Sequence, residues 1–466
     1  MKKYNVLFIM TDQHNVNALG CYGNSEVKTP IMDKLAKEGV LFEKAYCQTG
    51  QCCPSRYSIW TGRFARSHGL YANSMMENPE EVTVADLFSD SDYVTGTIGK
   101  HHMHMNEIPD KHGFDIVIDD KDFKSFIATE NTAHYDIDGR WLPDYIHPGR
   151  SSVGASNVNN EHTYSGFITS QTIKFIQENK DRPFCLWYSF FGPHTPITPS
   201  EPWASMYDPE KLTLPPNNCY EFSYDIPGFS KTQTKSGEYN EEYHRKTLAY
   251  YYGLVSQIDY NIGLVLDELK RLELADNTIV VYTTDHGDMS GEHGCWTKGL
   301  HGYDATLHIP MIIKLPGVLP EGMKTDELVC SIDLLPTLLD LTGHSIPEYI
   351  QGKSLTGLMR GNEKNVRKVA FSEIGHPDKI TVITAIGNRY KYVLYRQKHQ
   401  IVYEQFFDKE HDPWEMKNEI DNTDYLNAIS SLKRDLQDWE TNTVSQPISD
   451  IPESGTMGQV PCRSSR

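Results

Sequence analysis

YHRKTLAYYYGLVSQIDYNIGLVLDELKRLELADNTIVVYTTD, residues 243–285, decides the architecture. From about Tyr243 to Leu272 the apolar positions Leu248, Tyr251, Val255, Ile258, Ile262, Val265, Leu266 and Leu269 return mostly every three or four residues, the repeat of a helix with one buried face. Asn277 interrupts that period. TIVVYTT then runs without polar alternation and stops at Asp285, as a strand covered on both faces does. A long helix feeding a continuously apolar strand is the unit of an α/β sheet.

The same unit recurs on either side. Tyr4 to Met10 reads as a strand with the polar Asp12 and Gln13 at its carboxyl end, where open α/β sheets place their sites. TPIMDKLAKEGVLF (29–42) reads as a short helix leading into Val40–Phe42. A helix from about Ser165 to Asn179 precedes the dense run FCLWYSFF (184–191). IPMIIKLPG (309–317) reads as a further interior strand, and SIDLLPTLLDLTG (331–343) as a helix capped by Ser331 and ended by Gly343. Composition shifts near 361–365. Val369–Ser372, Ile380–Ile386 and Tyr390–Tyr395 then read as short strands separated by turns and closed by a helix near Tyr425–Trp439. The expected fold class is α/β: a large mixed central sheet flanked by helices over 1–365, and a small antiparallel α+β subdomain over 366–440. Residues 441–466, rich in Ser, Pro, Thr and Gly, read as an extended tail without its own core. There is no internal repeat.

The chain has 466 residues, enough to bury a large core without metal or disulfide staples. Lys plus Arg total 44 against 63 Asp plus Glu, a net charge of −19 that repels nucleic acid and anionic membranes. An anionic substrate therefore needs a local basic pocket. No apolar run approaches the roughly 20 residues that span a bilayer. The apolar stretch Val6–Met10 is too short for a signal-peptide core and runs straight into Thr11 and Asp12, so a cytoplasmic location is expected. The nine cysteines, at 21, 47, 52, 53, 185, 219, 295, 330 and 462, lack the repeated CxxC spacing of zinc or iron–sulfur sites and are expected to be reduced.

The chemical signal centres on CQTGQCCPSRYSIWTGR (47–63). Pro54 is suited to open a helix with Cys52 just before its N-terminus, where free amides and the helix dipole favour negative charge. CCPSRYSIWTG (52–62) resembles the signature C-x-P-S-R-x-x-x-x-T-G of the type I, formylglycine-dependent sulfatases of the alkaline-phosphatase-like superfamily. The resemblance extends to IMTDQH (9–14), GTIGKHH (96–102), GPHTP (192–196), YTTDHGDMSGEHGCWTKG (282–299) and FFDKEHDPWE (406–415).

The resemblance implies that a formylglycine-installing enzyme, a transient partner, converts Cys52 to formylglycine. Hydrated, that group has one hydroxyl to attack sulfur and a second through which the sulfated group breaks down. Unmodified Cys52 lacks the second step. The resemblance further implies a divalent metal on Asp12, Gln13, Cys52, Asp285 and His286, calcium first, with magnesium or manganese as alternatives. It implies that Arg56 orients the nucleophile, that Lys100 binds sulfate, that His102 contacts the formylglycine hydroxyls, and that His194 and Lys298 attend the leaving oxygen. Asn73, His293 and His308 are weaker candidates, as are Trp187, Tyr188 and Trp296 for recognising the alcohol. The expected activity is hydrolysis of a small organic sulfate ester, carbohydrate or aryl. Phosphonate monoester or phosphodiester hydrolysis on the same fold is the alternative, because tetrahedral anions demand similar metal and cation placement.

Overall fold

The computed structural model describes residues 3–75, 78, 80–89, 91–103, 113–129, 145–146, 152–218, 226–227 and 240–443. The strands are β1 (Asn5–Asp12), β2 (Val40–Tyr46), β3 (Val94–Gly99), β4 (Ile116–Ile118), β5 (Tyr145–Ile146), β6 (Ser152–Val153), β7 (Phe184–Pro193), β8 (Thr278–Thr284), β9 (His308–Ile309), β10 (Met311–Lys314) and β11 (Met323–Cys330). All but the small β5–β6 pair form one mixed sheet in the order β11-β2-β10-β8-β1-β7-β3-β4, with β9 on β2. β10 runs antiparallel to both its neighbours, while β8, β1, β7, β3 and β4 are mutually parallel.

The continuous apolar runs are the interior of this sheet. Val6, Phe8 and Met10 of β1 face one core with Trp187 and Val281, whereas Leu7 and Ile9 face the other with Leu186 and Tyr282. The long helix is Glu241–Arg271, 31 residues and about 46 Å. It starts two residues before the expected Tyr243 because Asn240 caps it, accepting from the Tyr243 amide. The helix Tyr164–Glu178 is likewise capped by Thr163. The helix over Leu334–Thr342 corrects one expectation: the Ser331 hydroxyl donates to Gln48, and Asp333 accepts from the Cys330 amide at the preceding turn instead. Gly343, at φ 77°, ends the helix as expected.

The second sheet is β12 (Val369–Gly375), β13 (Ile380–Gly387), β14 (Tyr390–Gln397) and β15 (Gln400–Asp408), antiparallel in chain order. The helix Leu426–Asn442 packs on β13 and β14 and runs past residue 440, the expected edge of this subdomain. Tail residues 444–466 lie outside the described residues.

Candidate active site

Four neighbouring parallel strands end side by side, and each hands its next residues to one place. β8 leads to Asp285 and His286, β1 ends at Asp12 and leads to Gln13, β7 leads to His194, and β3 leads to Lys100 and His102. The ladders continue past the strand ends: the Asp285 amide donates to the Thr11 carbonyl at 3.4 Å, His194 to Asp12 at 3.1 Å and Lys100 to Ser189 at 2.9 Å. Gly99 makes the last step possible. Its φ is +104°, and a Cβ there would lie 1.9 Å from the Ser189 carbonyl oxygen.

Facing these ends is the helix Cys52–Thr61, buried along its whole length. Cys52 is its first residue and Pro54 its third, so the helix opens two residues earlier than Pro54 alone suggests. The Asn73 side-chain oxygen accepts from the Cys53 amide at 3.1 Å. The Cys52 Sγ lies 3.2 Å from His286 Nε2, 2.8 Å from Lys298 Nζ and 3.7 Å from Asp12 Oδ1. Burial and Asp12 oppose a thiolate there. Lys100, Lys298 and His286 outweigh them and hold the thiol well below its ordinary pKa, so a group at this position is kept anionic.

Arg56 acts one step further back than expected. Its guanidinium does not reach Cys52; Nε donates to Asp285 at 2.7 Å, Nη2 to Asp12 at 3.0 Å, and Nη1 to the Lys100 carbonyl and Ser189 hydroxyl at 2.5 and 2.7 Å. A fully buried fork therefore locks both carboxylates and the Lys100 backbone in one geometry.

Asp12, Cys52, Asp285 and His286 each offer one ligand atom, all within 4.8 Å of one another and all buried. The His286 Nδ1 lies 2.8 Å from the Gly287 carbonyl, to which it can only donate, so Nε2 is the nitrogen turned toward the cluster. Burial raises the pKa of Asp12, but Lys100, His194 and Arg56 carry it well below the carboxylate range. Asp285 is pushed up by burial and by the charge on Asp12, beyond what Arg56 offsets. A divalent ion held by these residues would offset the repulsion between the two carboxylates that raises Asp285, so the donor set fits one.

Gln13 sits at φ 62°, its Nε2 donating to Asp288 at 2.5 Å and its Oε1 accepting from Lys298 at 2.9 Å. The acceptor end of the amide therefore faces the cluster. Asp288, absent from the sequence expectations, also accepts from the Ser290 amide at 2.6 Å and the Thr297 amide at 3.3 Å, tying Gln13 to the loop that delivers Lys298. Its signal was the second acid in TTDHGD, which a metal-ligand pattern does not call for.

A cavity of about 660 Å³ opens over Cys52, lined among others by Asn73, Lys100, His102, His194 and Lys298. Lys100 Nζ pairs with Asp12 at 2.6 Å. His194 Nδ1 donates to the Thr195 carbonyl at 2.6 Å, which leaves Nε2 available. His102, at φ 60°, has its Nδ1 buried without a hydrogen bond among the described residues. Other expectations do not converge here. His308 bonds the Glu43 carbonyl and stacks on Tyr46, and His293 stacks on Tyr303. Trp187 stacks on Phe8 at 3.6 Å, the Tyr188 hydroxyl meets Thr169, and Trp296 donates to His244, so all three are packing groups. The seven described cysteines are free; Cys219 and Cys462 lie outside the described residues.

The sulfatase family model matches residues 4–344, and a second, N-sulphoglucosamine sulphohydrolase, C-terminal, matches 291–442. The chain is 31% identical to an arylsulfatase of Clostridium perfringens, covering 93% of this chain and 94% of that one. It is 26% identical to an N-acetylglucosamine-6-O-sulfatase of Bacteroides thetaiotaomicron over 94% and 86%. In fold it is similar to the phosphonate monoester hydrolase of Agrobacterium radiobacter, with a TM-score of 0.83 at 23% identity over 98% of this chain and all of that one. A family model spanning the whole main sheet and a full-length likeness to an arylsulfatase lead to one conclusion: this chain belongs to the sulfatase family.

Proposed function

We propose that the chain hydrolyses the sulfate monoester of a small carbohydrate or aryl alcohol, water and the ester giving the alcohol and hydrogen sulfate. The observation that carries this reading is the placement of Cys52: first residue of a buried helix, within 3.2 Å of His286 and 2.8 Å of Lys298, beside two carboxylates and at the floor of a cavity. Formylglycine formed from Cys52 would, once hydrated, supply a hydroxyl nucleophile and a second hydroxyl for resolution. A divalent ion, calcium by preference, held by Asp12, Gln13, Asp285, His286 and the side chain at 52, would polarise a sulfuryl oxygen and ease loss of the nucleophile's proton. The chain's own groups do the rest. Lys100 and Lys298 bind the anionic oxygens, and Arg56 fixes the two carboxylates. His102 orients the nucleophile's hydroxyls. His194, protonated at Nε2, or Lys298 gives the leaving oxygen its proton.

A second reading, phosphonate monoester or phosphodiester hydrolysis, is supported by the fold likeness to a phosphonate monoester hydrolase. Mass analysis of the Cys52 peptide, followed by kcat/KM for an aryl sulfate, a phosphonate monoester and a phosphodiester on the modified protein, separates the two. The sulfatase reading expects the aldehyde at position 52 and the aryl sulfate as the preferred substrate of the three. Equal turnover by modified and unmodified protein, or full activity in chelated protein, would refute the mechanism.

A further inference from the structure

Every residue of β7 is buried except one. Phe191 is 37% exposed, and its ring lines the cavity over Cys52. Its neighbours are the groups assigned above to the sulfuryl and leaving oxygens: Lys100 Nζ lies 4.4 Å from the ring centroid, and the His194 imidazole lies 5.1 Å away, edge-on at 71°. A group bonded to the leaving oxygen therefore departs from sulfur within reach of this ring. Part of the cavity wall is carbon: Met103, Phe123, Ile127 and Leu254 line it, each largely buried by its neighbours, alongside polar residues that include Asp119, Thr198 and Gln257. A sugar ring is fringed with hydroxyls that need side-chain partners. Two of the polar lining residues are already engaged, Gln257 with Asn160 and Ser200, and Asp119 with the Lys121 amide and His101. A flat apolar ring needs only surface, and covering exposed aromatic area is favourable by about 25 cal/mol per Å².

Building on the sulfatase reading, we propose that Phe191 is the platform on which the leaving group stacks, and that this leaving group is an aromatic alcohol. Phe191 is then a specificity-determining residue, and aryl sulfates rather than sugar sulfates are the substrate class.

The test compares 4-methylumbelliferyl sulfate with N-acetylglucosamine 6-sulfate on formylglycine-bearing wild type, Phe191→Ser and Phe191→Leu. Wild type is expected to favour the aryl ester by at least about tenfold in kcat/KM, and Phe191→Ser to lose about tenfold on that substrate, chiefly in KM, the size of one good aromatic contact. Phe191→Leu, which keeps apolar packing beneath Lys100, is expected to lose about threefold. Inhibition by inorganic sulfate should be the same in all three. A preference for the sugar sulfate, or an equal loss on both substrates, overturns the proposal. Binding of 4-methylumbelliferyl sulfate to Cys52→Ala protein, with and without Phe191→Ser, separates the platform from the chemistry. Weakened binding in the double variant upholds the platform even if turnover fails, and unchanged binding sinks it while leaving the sulfatase reading intact.

Discussion

Among the described residues, one cluster of largely buried charge sits at the ends of the parallel strands and another where the small sheet meets the large one. In the second, Lys391 on β14, fully buried, pairs with Asp304 at 2.8 Å and with Glu415, whose other oxygen accepts the Asp304 amide at 2.7 Å. Lys409 bonds the Tyr46 hydroxyl and lies 3.7 Å from Asp304. Two lysines meet two carboxylates, and the cluster is closed. At the strand ends three cations, Arg56, Lys100 and Lys298, surround two carboxylates, Asp12 and Asp285, and the Cys52 thiol beneath an open cavity. The Lys391 cluster joins two sheets and is filled by its own partners; the strand-end cluster lies at the floor of a cavity. The two use the same side chains and differ in whether the space beside the charges is closed or open.

Acid should break the joining cluster first. His293 and His301 are pushed down to about 3 by burial and by the charge on Lys391, with His293 adding to the shift of His301. The native protein then declines protons that the unfolded chain binds below its pKa of about 6.5, so stability is full above that value and falls as pH drops toward the folded pKa. The two histidines together cost roughly 5 kcal/mol by pH 4.5. Chemical denaturation at pH 7.5 and 4.5 measures it, and a flat profile would contradict the assignment. Next in size, Lys391→Met leaves the buried Glu415 without its counter-ion and Asp304 with Lys409 alone, and should cost about 3–5 kcal/mol in the same titration. Its kcat/KM should be unchanged wherever the protein is folded; a loss of activity instead would erase the distinction between the clusters.

Lys298→Ala addresses the other side. Removing this cation from the cavity floor should lower kcat/KM about 10²- to 10³-fold while the melting temperature holds. A melting temperature that falls with activity intact would make Lys298 a structural residue. The smallest effect is expected of Asp288→Asn. The new amide would face the Gln13 amide donor to donor, forcing Gln13 to turn its Oε1 away from the cluster. Affinity for a divalent ion, titrated calorimetrically into chelated protein, should fall about 10- to 100-fold. Unchanged affinity would remove Gln13 from the ligand set.

The strand ends were legible because a buried parallel strand is a continuous apolar run, and the first polar residue after it must lie at the sheet's edge. Asp12 and Asp285 stand out in that way without any resemblance, whereas His194 comes with the resemblance. What was not legible has physical reasons. β15 begins with Gln400, Ile401, Val402 and Tyr403, exposed or partly so on an edge strand, and therefore lacks a buried signature. Asp288 acts through Gln13, and no local pattern announces a carboxylate whose partner lies 275 positions away. Trp187 and Phe191 stand in the same apolar run. Only the sheet's register tells that the first is sealed against Phe8 and the second faces the cavity.

The run of neighbouring strand ends β8, β1, β7 and β3 also works as a ruler. Strands lie about 4.8 Å apart, so the four span about 14 Å from one side of the row to the other. The proposed metal ligands occupy the first two marks, His194, the proposed proton donor, the third, and Lys100 with His102 the last. Distances among these groups are graduated by backbone hydrogen bonds rather than by side-chain packing. Substitutions that recut the cavity wall can therefore change which alcohol leaves without moving the metal ligands relative to the donor.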